Sequence, residues 1–253
     1  MRVFLTGASS GIGAALARHY AARGATLGLA ARREDRLVAL AAGLPGSHAC
    51  YPLDVADAAA LQAAAADFIA RHGCPDIVIA NAGVSAGTLG EDAGDLPALR
   101  RILDTNLIGM AQTLQPFVAA MKVRGSGRLA GIASVAGIRG LPGAGAYSAS
   151  KAATIAWLEA LRVELRGSGV RVVTIAPGYI ATPMTAVNRY PMPFLMPANT
   201  AARHFARAIE RGTSYTVIPW QMGVAAKLLR LLPDPLFDAL FARAGRKPRG
   251  LDL

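Results

Sequence analysis

A chain of 253 residues with 53% hydrophobic and 17% charged residues can fill one large folded domain, which excludes a disordered protein. The formal net charge of +11 suggests an anionic partner, but the basic residues are scattered and form no nucleic-acid-reading motif, so we expect no nucleic-acid partner. The two cysteines, Cys50 and Cys74, form no metal pattern with the four histidines. We therefore expect no metal site and a reducing, cytoplasmic location.

Short apolar segments alternate with helical patterns along the chain. The predicted strands are 3–5, 26–30, 49–51, 77–80, 128–133 and 171–176. The predicted helices are 12–23, 34–42, 58–72, 97–124 and 148–166. Strands separated by helices of this length indicate a parallel sheet. No linker or repeat divides the chain, so we expect an α/β fold in a single domain over residues 1–253, with loops at 137–145 and 177–197 beside the site.

A glycine-rich turn, TGASSGIG, joins the first predicted strand to the first predicted helix. Glycines at this position let the backbone approach a diphosphate, while N–H groups at the helix start face its negative charge. The spacing is G-x-x-x-G-x-G, which differs from the commonest dinucleotide fingerprint, and an ordinary turn remains the alternative. The candidate cofactor contacts here are Gly7, Ser9, Ser10, Gly11, Ile12 and Gly13.

Two arginines, Arg32 and Arg33, follow the second predicted strand, and no acid precedes Glu34. A carboxylate at this position binds the ribose 2′-hydroxyl of NAD. A guanidinium suits a 2′-phosphate instead, because its planar fork matches phosphate geometry. We therefore expect NADP(H) to be preferred over NAD(H), with Arg32 as the first contact. The alternative is two solvated arginines at a helix start.

Tyr147 and Lys151 are four residues apart in a helix-forming stretch, so they share one face. A neighbouring ammonium group favours the phenolate and lowers the pKa of a phenol, which then exchanges a proton with a carbonyl or alcohol oxygen. Ser134 lies thirteen residues earlier, at the end of a strand, where its hydroxyl can hydrogen-bond the same oxygen. A chance surface pair is the alternative.

Together with the glycine turn, these residues resemble a pattern of the classical short-chain dehydrogenase/reductase family, up to about residue 220. The matching pieces are TGASSGIG from Thr6, Asp54-Val55, Asn81-Ala82-Gly83, Asn106, Ser134, Tyr147 with Lys151, and Pro177-Gly178 followed by Thr182. The resemblance implies a Rossmann-type doubly wound parallel sheet with helices on both faces. It also implies a homodimer or homotetramer.

The remaining site assignments rest on the resemblance alone. It implies that Asn106 helps to hold a water beside Lys151, and that Lys151 also binds the nicotinamide ribose. It implies that Asp54 and Val55 contact the adenine ring. It implies contacts to the adenosine ribose from Asn81, Ala82 and Gly83, and contacts to the nicotinamide from Pro177, Gly178, Ile180 and Thr182.

Residues 181–200 are expected to form a lid over the substrate pocket. The segment is rich in Met, Phe, Leu and Pro, with Asn188 and Arg189 as its strongly polar members. Such a lid favours a lipophilic carbonyl compound over a sugar, although the same residues would also suit packing against the protein. The resulting function is an NADP(H)-dependent oxidoreductase that interconverts a small-molecule carbonyl compound and an alcohol by hydride transfer, acting on CH–OH groups. The alternative is a catalytically silent dinucleotide-binding sensor.

The C-terminal segment, residues 220–253, alternates leucine and phenylalanine groups with lysines and arginines. Pro233 and Pro235 are expected to end a first helix there. Apolar faces flanked by basic residues can lie in a membrane interface. Packing over the pocket or against a second subunit are the alternatives, and the sequence leaves all three open.

Overall fold

The structure, a computed structural model, describes residues 1–250 and is built on a parallel sheet. The strands are β1 Arg2–Thr6, β2 Thr26–Ala31, β3 Ala49–Pro52, β4 Ile77–Ala80, β5 Gly127–Ile132, β6 Val170–Pro177, β7 Ile180–Ala181, β8 Met196–Pro197 and β9 Tyr215–Ile218. Seven of them form one sheet in the order β3-β2-β1-β4-β5-β6-β9, with every pair parallel, while β7 and β8 pair separately. The order reverses between β1 and β4, which confirms the predicted Rossmann-type doubly wound fold.

Helices cover both faces of this sheet. They are α1 Gly11–Ala21, α2 Glu34–Ala42, α3 Ala58–His72, α4 Leu96–Leu103, α5 Gly109–Arg124, α6 Gly145–Glu164, α7 Pro183–Ala186, α8 Ala198–Arg211, α9 Trp220–Leu231 and α10 Asp234–Phe241. Side chains alternate along β1, so Val3 and Leu5 pack with α1, α2 and α8, while Phe4 packs with α3, α5 and α6. Because successive side chains of the strand point to opposite faces of the sheet, the core is divided into two layers.

The predicted helix 97–124 is interrupted by a π-helical turn, Asp104–Ile108, between α4 and α5. Apolar spacing does not distinguish this wider turn from an α-turn, because it adds only one residue to the pattern. The turn buries Asn106, whose carbonyl oxygen accepts a hydrogen bond from the Thr154 hydroxyl at 3.2 Å. The interruption therefore lies at a residue that the family pattern singled out.

The predicted set contained neither α8 nor β9, and it also lacked the short elements β7, α7 and β8. In α8, Ala201, Phe205 and Ile209 recur every four residues and are buried against α1. The strand β9 lies at the sheet edge beside β6 and is mostly half-buried, so it lacks the continuous apolar run of a central strand. The start of α8 also shortens the predicted lid, because residues 198–200 belong to that helix.

The carboxyl ends of the parallel strands meet at one edge of the sheet, where the reversal between β1 and β4 opens a crevice. The loops that follow β1, β4, β5 and β6 therefore surround a single site. No helix in the described part of the chain is both long enough and apolar enough to cross a bilayer.

Candidate active site

The residues expected to bind the cofactor gather in one cleft of about 230 Å³ at this edge. All of the predicted cofactor and catalytic residues line it except Gly13 and Asn106, which lie behind its wall. Pro183, Met184 and Thr185 of the predicted lid also line it, and the sequence did not single out the other lining residues, which are Ala31, Leu53, Val84, Thr105, Ile132 and Ala133.

The glycine turn has the shape that a diphosphate requires. Gly7 and Gly11 adopt φ values of 65° and 53°, a region that side chains disfavour. A Cβ added to Gly13 would lie 2.0 Å from the Gly7 carbonyl oxygen, so the helix start is pressed against the turn. Ser10 precedes α1 without capping it through its side chain, which leaves the first N–H groups of the helix available to an anion. The cradle therefore fits a dinucleotide diphosphate.

Asn81 holds this turn from the neighbouring strand. Its amide nitrogen donates to the carbonyl oxygens of Thr6 at 3.1 Å and Gly7 at 3.2 Å, while the Thr6 hydroxyl accepts the Asn81 N–H at 3.3 Å. The family pattern implied a ribose contact for Asn81, and its place in the cleft is compatible with one. The bracing role needs β1 and β4 side by side, so the sequence alone did not reveal it.

The two arginines after β2 stand at the mouth of the cleft. The Arg33 guanidinium donates to the Ser10 hydroxyl at 3.2 Å, which ties it to the glycine turn. Arg32 is exposed, lines the cleft and contributes to the positive potential at Asp54. Two cations therefore lie beside the diphosphate cradle, where an additional phosphate group would be stabilised.

Asp54 has a partner that the sequence did not indicate. Arg101 of α4 donates to one carboxylate oxygen at 2.6 Å, and the Ala56 N–H donates to the other at 3.0 Å. Burial pushes the pKa of Asp54 upward, but the Ala56 N–H and the Arg101 guanidinium outweigh it and hold that pKa below its usual value. Asp54 is therefore a fixed carboxylate in the cleft wall, beside the half-buried Leu53.

Ser134, Tyr147 and Lys151 converge inside the cleft. Ser134 follows β5, while Tyr147 and Lys151 lie one turn apart in α6. The Ser134 hydroxyl shares a hydrogen bond with the Tyr147 hydroxyl and also accepts the Ala136 N–H at 3.1 Å. The Lys151 ammonium lies 5.8 Å from the centroid of the Tyr147 ring and donates to the Ile132 carbonyl oxygen at 2.8 Å. The structure thus brings together the three residues that the sequence paired only by spacing.

Burial dominates the protonation of this group. It raises the pKa of Tyr147, against the smaller opposing effect of the Ser134 hydrogen bond, and it lowers the pKa of Lys151 to about 8. The lowered pKa that the spacing predicts for Tyr147 is wrong for this structure, because desolvation of the phenolate outweighs the hydrogen bond with Ser134. Tyr147 therefore carries its proton at neutral pH.

Asn106 connects the loop after β4 to α6. Its amide group exchanges two hydrogen bonds with the backbone of Val84, at 2.8 and 3.0 Å, and donates to the Ser150 hydroxyl at 3.0 Å. A Cβ added to Gly83 would meet the Asn106 oxygen at 3.2 Å and the Lys151 nitrogen at 3.7 Å, so both groups border Gly83. The implied water relay through Asn106 stays a prediction.

The predicted lid reaches the cleft only through its first residues, Thr182 to Thr185. The Thr182 side chain closes over the glycine turn, since a Cβ added to Gly11 would lie 3.1 Å from the Thr182 methyl group. Thr182 also pairs with Thr185 in a capping box at the start of α7, which fixes its orientation. The rest of the predicted lid is mostly exposed or half-buried and forms β8 and its flanking loops.

Residues 245–249 pack on the loops around Gly87 and Met184, next to the cleft. The Lys247 ammonium donates to the Met184 carbonyl oxygen at 3.1 Å, and the Gly87 N–H donates to the Pro248 carbonyl oxygen at 2.8 Å. Arg249 pairs with Asp95 at 2.9 Å. This part of the C-terminal segment therefore packs on loops next to the cleft, while none of its residues lines the cleft itself. Residues 251–253, the last of the predicted domain and segment, lie outside the described residues.

The fold and this cleft define a nicotinamide-dependent oxidoreductase, and comparison with known proteins gives its family. The short chain dehydrogenase family matches residues 1–192, and the chain belongs to that family. It is 43% identical over 246 residues to an uncharacterized oxidoreductase of Myxococcus xanthus, which covers 94% of this chain and 95% of that protein.

Two further comparisons bear on the site. The chain is 37% identical over 180 residues to 2-dehydro-3-deoxy-L-rhamnonate dehydrogenase (NAD(+)) of a Sphingomonas species, covering 71% of this chain and 72% of that one. A short-chain dehydrogenase/reductase structure from Mycobacterium marinum matches with a TM-score of 0.78 and 29% identity, over 86% of this chain and 93% of that chain. The protein is therefore a family oxidoreductase that acts on an alcohol or carbonyl group with a nicotinamide dinucleotide.

Proposed function

We propose that this protein is an NADP(H)-dependent oxidoreductase that interconverts a lipophilic carbonyl compound and its alcohol, with Tyr147 as the acid and base. The observation that carries the proposal is the phenol of Tyr147 in the cleft, which shares a hydrogen bond with Ser134 and lies one helical turn from Lys151. A phenol that keeps its proton at neutral pH is suited to donate it to an oxygen that gains negative charge.

When bound, the nicotinamide supplies or accepts a hydride. In the reductive direction Tyr147 donates its hydroxyl proton to the carbonyl oxygen, while Ser134 donates a hydrogen bond that stabilises the same oxygen. Lys151, in its charged form, stabilises the phenolate that remains. In the oxidative direction the phenolate removes the proton from the alcohol. Asn106 positions α6 against the loop after β4 through its hydrogen bonds to Val84 and Ser150.

The cofactor would be held by residues from every loop around the cleft. The glycine turn would hold the diphosphate, and the arginines after β2 the 2′-phosphate. Asp54 and Val55 would contact the adenine ring, and Lys151 the nicotinamide ribose. The adenosine ribose would be contacted by Asn81, Ala82 and Gly83, and the nicotinamide by Pro177, Gly178, Ile180 and Thr182.

Replacing Arg32 by Ala is expected to weaken NADPH binding by about 10- to 100-fold, because a charge-assisted hydrogen bond to phosphate contributes about 1.5–3 kcal/mol. NADH lacks the 2′-phosphate, so its affinity should change by less than about twofold. Fluorescence titration of each cofactor measures the ratio of the two dissociation constants.

Arg36, exposed one turn into α2, is the matched control, and Arg36→Ala should leave that ratio unchanged. An equal loss of affinity for both cofactors in Arg32→Ala would show a general electrostatic effect and would contradict the phosphate contact. A wild-type protein that binds NADH more tightly than NADPH would overturn the preference itself.

The proposed substrate is lipophilic because apolar side chains line part of the cleft wall in the segment that follows β6. Ile180, Pro183 and Met184 line the cleft there, together with the polar Thr182 and Thr185. The Sphingomonas relative is named for a sugar acid and NAD(+), so a polar substrate is the alternative that the experiment must distinguish from a lipophilic one. The pocket, and not the fold, decides between them.

Turnover on a panel of carbonyl compounds, with NADPH and NADH oxidation followed in parallel, tests this assignment. We expect kcat/KM with NADPH to be at least about tenfold higher for medium-chain aldehydes and ketones than for sugars of equal reactivity, since burying a few methylene groups is worth more than 1 kcal/mol. Higher kcat/KM on sugars or polyols would reject the lipophilic class while leaving the reaction type intact.

Three further assignments complete the proposal. Residues 1–253 act as one dinucleotide-binding and catalytic domain, supported by the continuous seven-stranded sheet. The protein works as a homodimer or homotetramer, as members of its family typically form oligomers. The alternative of a silent dinucleotide sensor is disfavoured by the grouping of Ser134, Tyr147 and Lys151 in the cleft, because a sensor has no use for a positioned proton donor.

A further inference from the structure

The helices α9 and α10 present an apolar surface that no described residue covers. Within α9, four exposed side chains fall within an arc of about 80° at roughly 100° per residue. Trp220 and Leu231, at opposite ends of α9, are 71% and 79% exposed. Two exposed leucines of α10 extend this surface. We define the apolar stripe as Trp220, Val224, Leu228, Leu231, Leu236 and Leu240.

The opposite side of the same helices packs on the protein. In α9, Ala226 is buried, and Met222 contacts the turn after β6, where a Cβ added to Gly178 would lie 2.6 Å from the Met222 Cγ. In α10, Phe237 is buried and stacks with Phe241. The stripe is therefore the outer face of an amphipathic pair of helices whose inner face is already occupied.

Arg139, from the loop after β5, holds the junction of the two helices. Its guanidinium donates to the Leu229 carbonyl oxygen at 2.8 Å, pairs with Asp234 and lies 4.0 Å from the centroid of the Phe237 ring. Arg230 returns a hydrogen bond to the Ile138 carbonyl oxygen at 2.9 Å. These contacts fix the stripe facing outward, and rotation that would bury its leucines would break them.

The charges around the stripe are segregated by sign. Lys227 lies on the same side of α9 as the stripe, while Arg230 flanks it and Arg243 follows α10, all three exposed. The acids of α10, Asp234 and Asp238, lie on the side of the helix away from Leu236 and Leu240. A second copy docked on the stripe would bring these cations against their own equivalents, whereas anionic lipid head groups match them.

We propose that the apolar stripe is a peripheral docking surface for an anionic lipid bilayer. The stripe would enter the boundary between head groups and acyl chains, with α9 and α10 lying parallel to the surface. Lys227 would extend its ammonium to the lipid phosphates while its methylene groups stay in the apolar layer. This inference does not depend on the identity of the substrate.

Co-sedimentation of the full chain with phosphatidylglycerol vesicles and with phosphatidylcholine vesicles tests the proposal. We expect the protein to bind the anionic vesicles at least about tenfold more strongly than the neutral ones. Binding to the anionic vesicles should weaken as salt rises, because salt screens the attraction to the head groups. The double variant Leu228→Gln, Leu231→Gln should bind the anionic vesicles about tenfold or more weakly, since it withdraws two exposed apolar side chains.

Val123 and Val163 provide the matched control, because both are exposed apolar side chains on other helices with basic neighbours. The variant Val123→Gln, Val163→Gln should bind as the wild type does. Light scattering of all three proteins measures the assembly state. The proposal is overturned if the wild type ignores anionic vesicles or if the leucine variant binds them equally. It is also overturned if the leucine variant only dissociates an oligomer, which would assign the stripe to a second copy.

Discussion

Replacement of Tyr147 by Phe should lower kcat by about 100- to 10,000-fold, the range over which general acid–base catalysis acts. The change removes the hydroxyl that carries the proton and keeps the ring that packs beside Lys151 and Ser134. Because the proton donor contributes only in the transition state, kcat and kcat/KM should fall together. Steady-state kinetics on the best carbonyl substrate of the panel, with NADPH titrated separately by fluorescence, measure both quantities.

Tyr215 supplies the control for the loss of a phenol hydroxyl. It is an exposed residue of the edge strand β9, distant from the cleft wall, so Tyr215→Phe should retain wild-type kinetics. Cofactor affinity should be retained in both variants to within about threefold. Wild-type turnover in Tyr147→Phe would refute the acid and base role. Binding of NADPH with no turnover by the wild type on any carbonyl would instead favour the sensor.

The second large effect is expected for Gly13→Ala, which should lower the free energy of unfolding by about 1–3 kcal/mol. Helix propensity alone predicts the opposite sign, because alanine is favoured over glycine in a helix by about 1 kcal/mol. The steric conflict outweighs that gain, since the added Cβ would lie 2.0 Å from the Gly7 carbonyl oxygen and 2.7 Å from the Asn81 amide nitrogen. The glycine turn must shift, and NADPH affinity should fall on the order of 100-fold. Thermal unfolding and fluorescence titration measure the two effects.

Gly145→Ala serves as its control. Gly145 is also in the first turn of a helix, α6, but a Cβ there meets no atom within 4 Å. Its melting temperature and NADPH affinity should equal or slightly exceed those of the wild type. If Gly13→Ala behaved as Gly145→Ala does, the close packing of the glycine turn against α1 would not be needed for cofactor binding.

Some interactions at the site join residues that are far apart in the sequence, and no local pattern reveals them. Arg101 meets Asp54 across 47 residues, and Asn81 braces Gly7 across 74. Each pairing depends on which strands become neighbours in the sheet. The chain contains many arginines, so the sequence gave no reason to choose Arg101 over the others as the partner of Asp54.

The C-terminal segment likewise combines features that the sequence shows with contacts that only the tertiary structure shows. Its alternation of apolar and basic residues was evident, and α9 ends before Pro233 as expected, whereas Pro235 lies in the first turn of α10. Whether an apolar helix face is covered depends on what the rest of the chain places against it. In the structure, residues 245–249 return to the loops around the cleft, while the apolar stripe of α9 and α10 stays exposed.

The amino-acid sequence by itself determined the α/β class, the glycine turn and the helical pairing of Tyr147 with Lys151, because each depends on spacing within a few residues. Only the tertiary structure decided that Ser134 hydrogen-bonds Tyr147, that the predicted helix 97–124 contains a π-turn, and that the pKa of Tyr147 is raised by burial where the spacing predicts a lowered value. Desolvation depends on every atom that excludes water from a group, and most of those atoms come from distant parts of the chain.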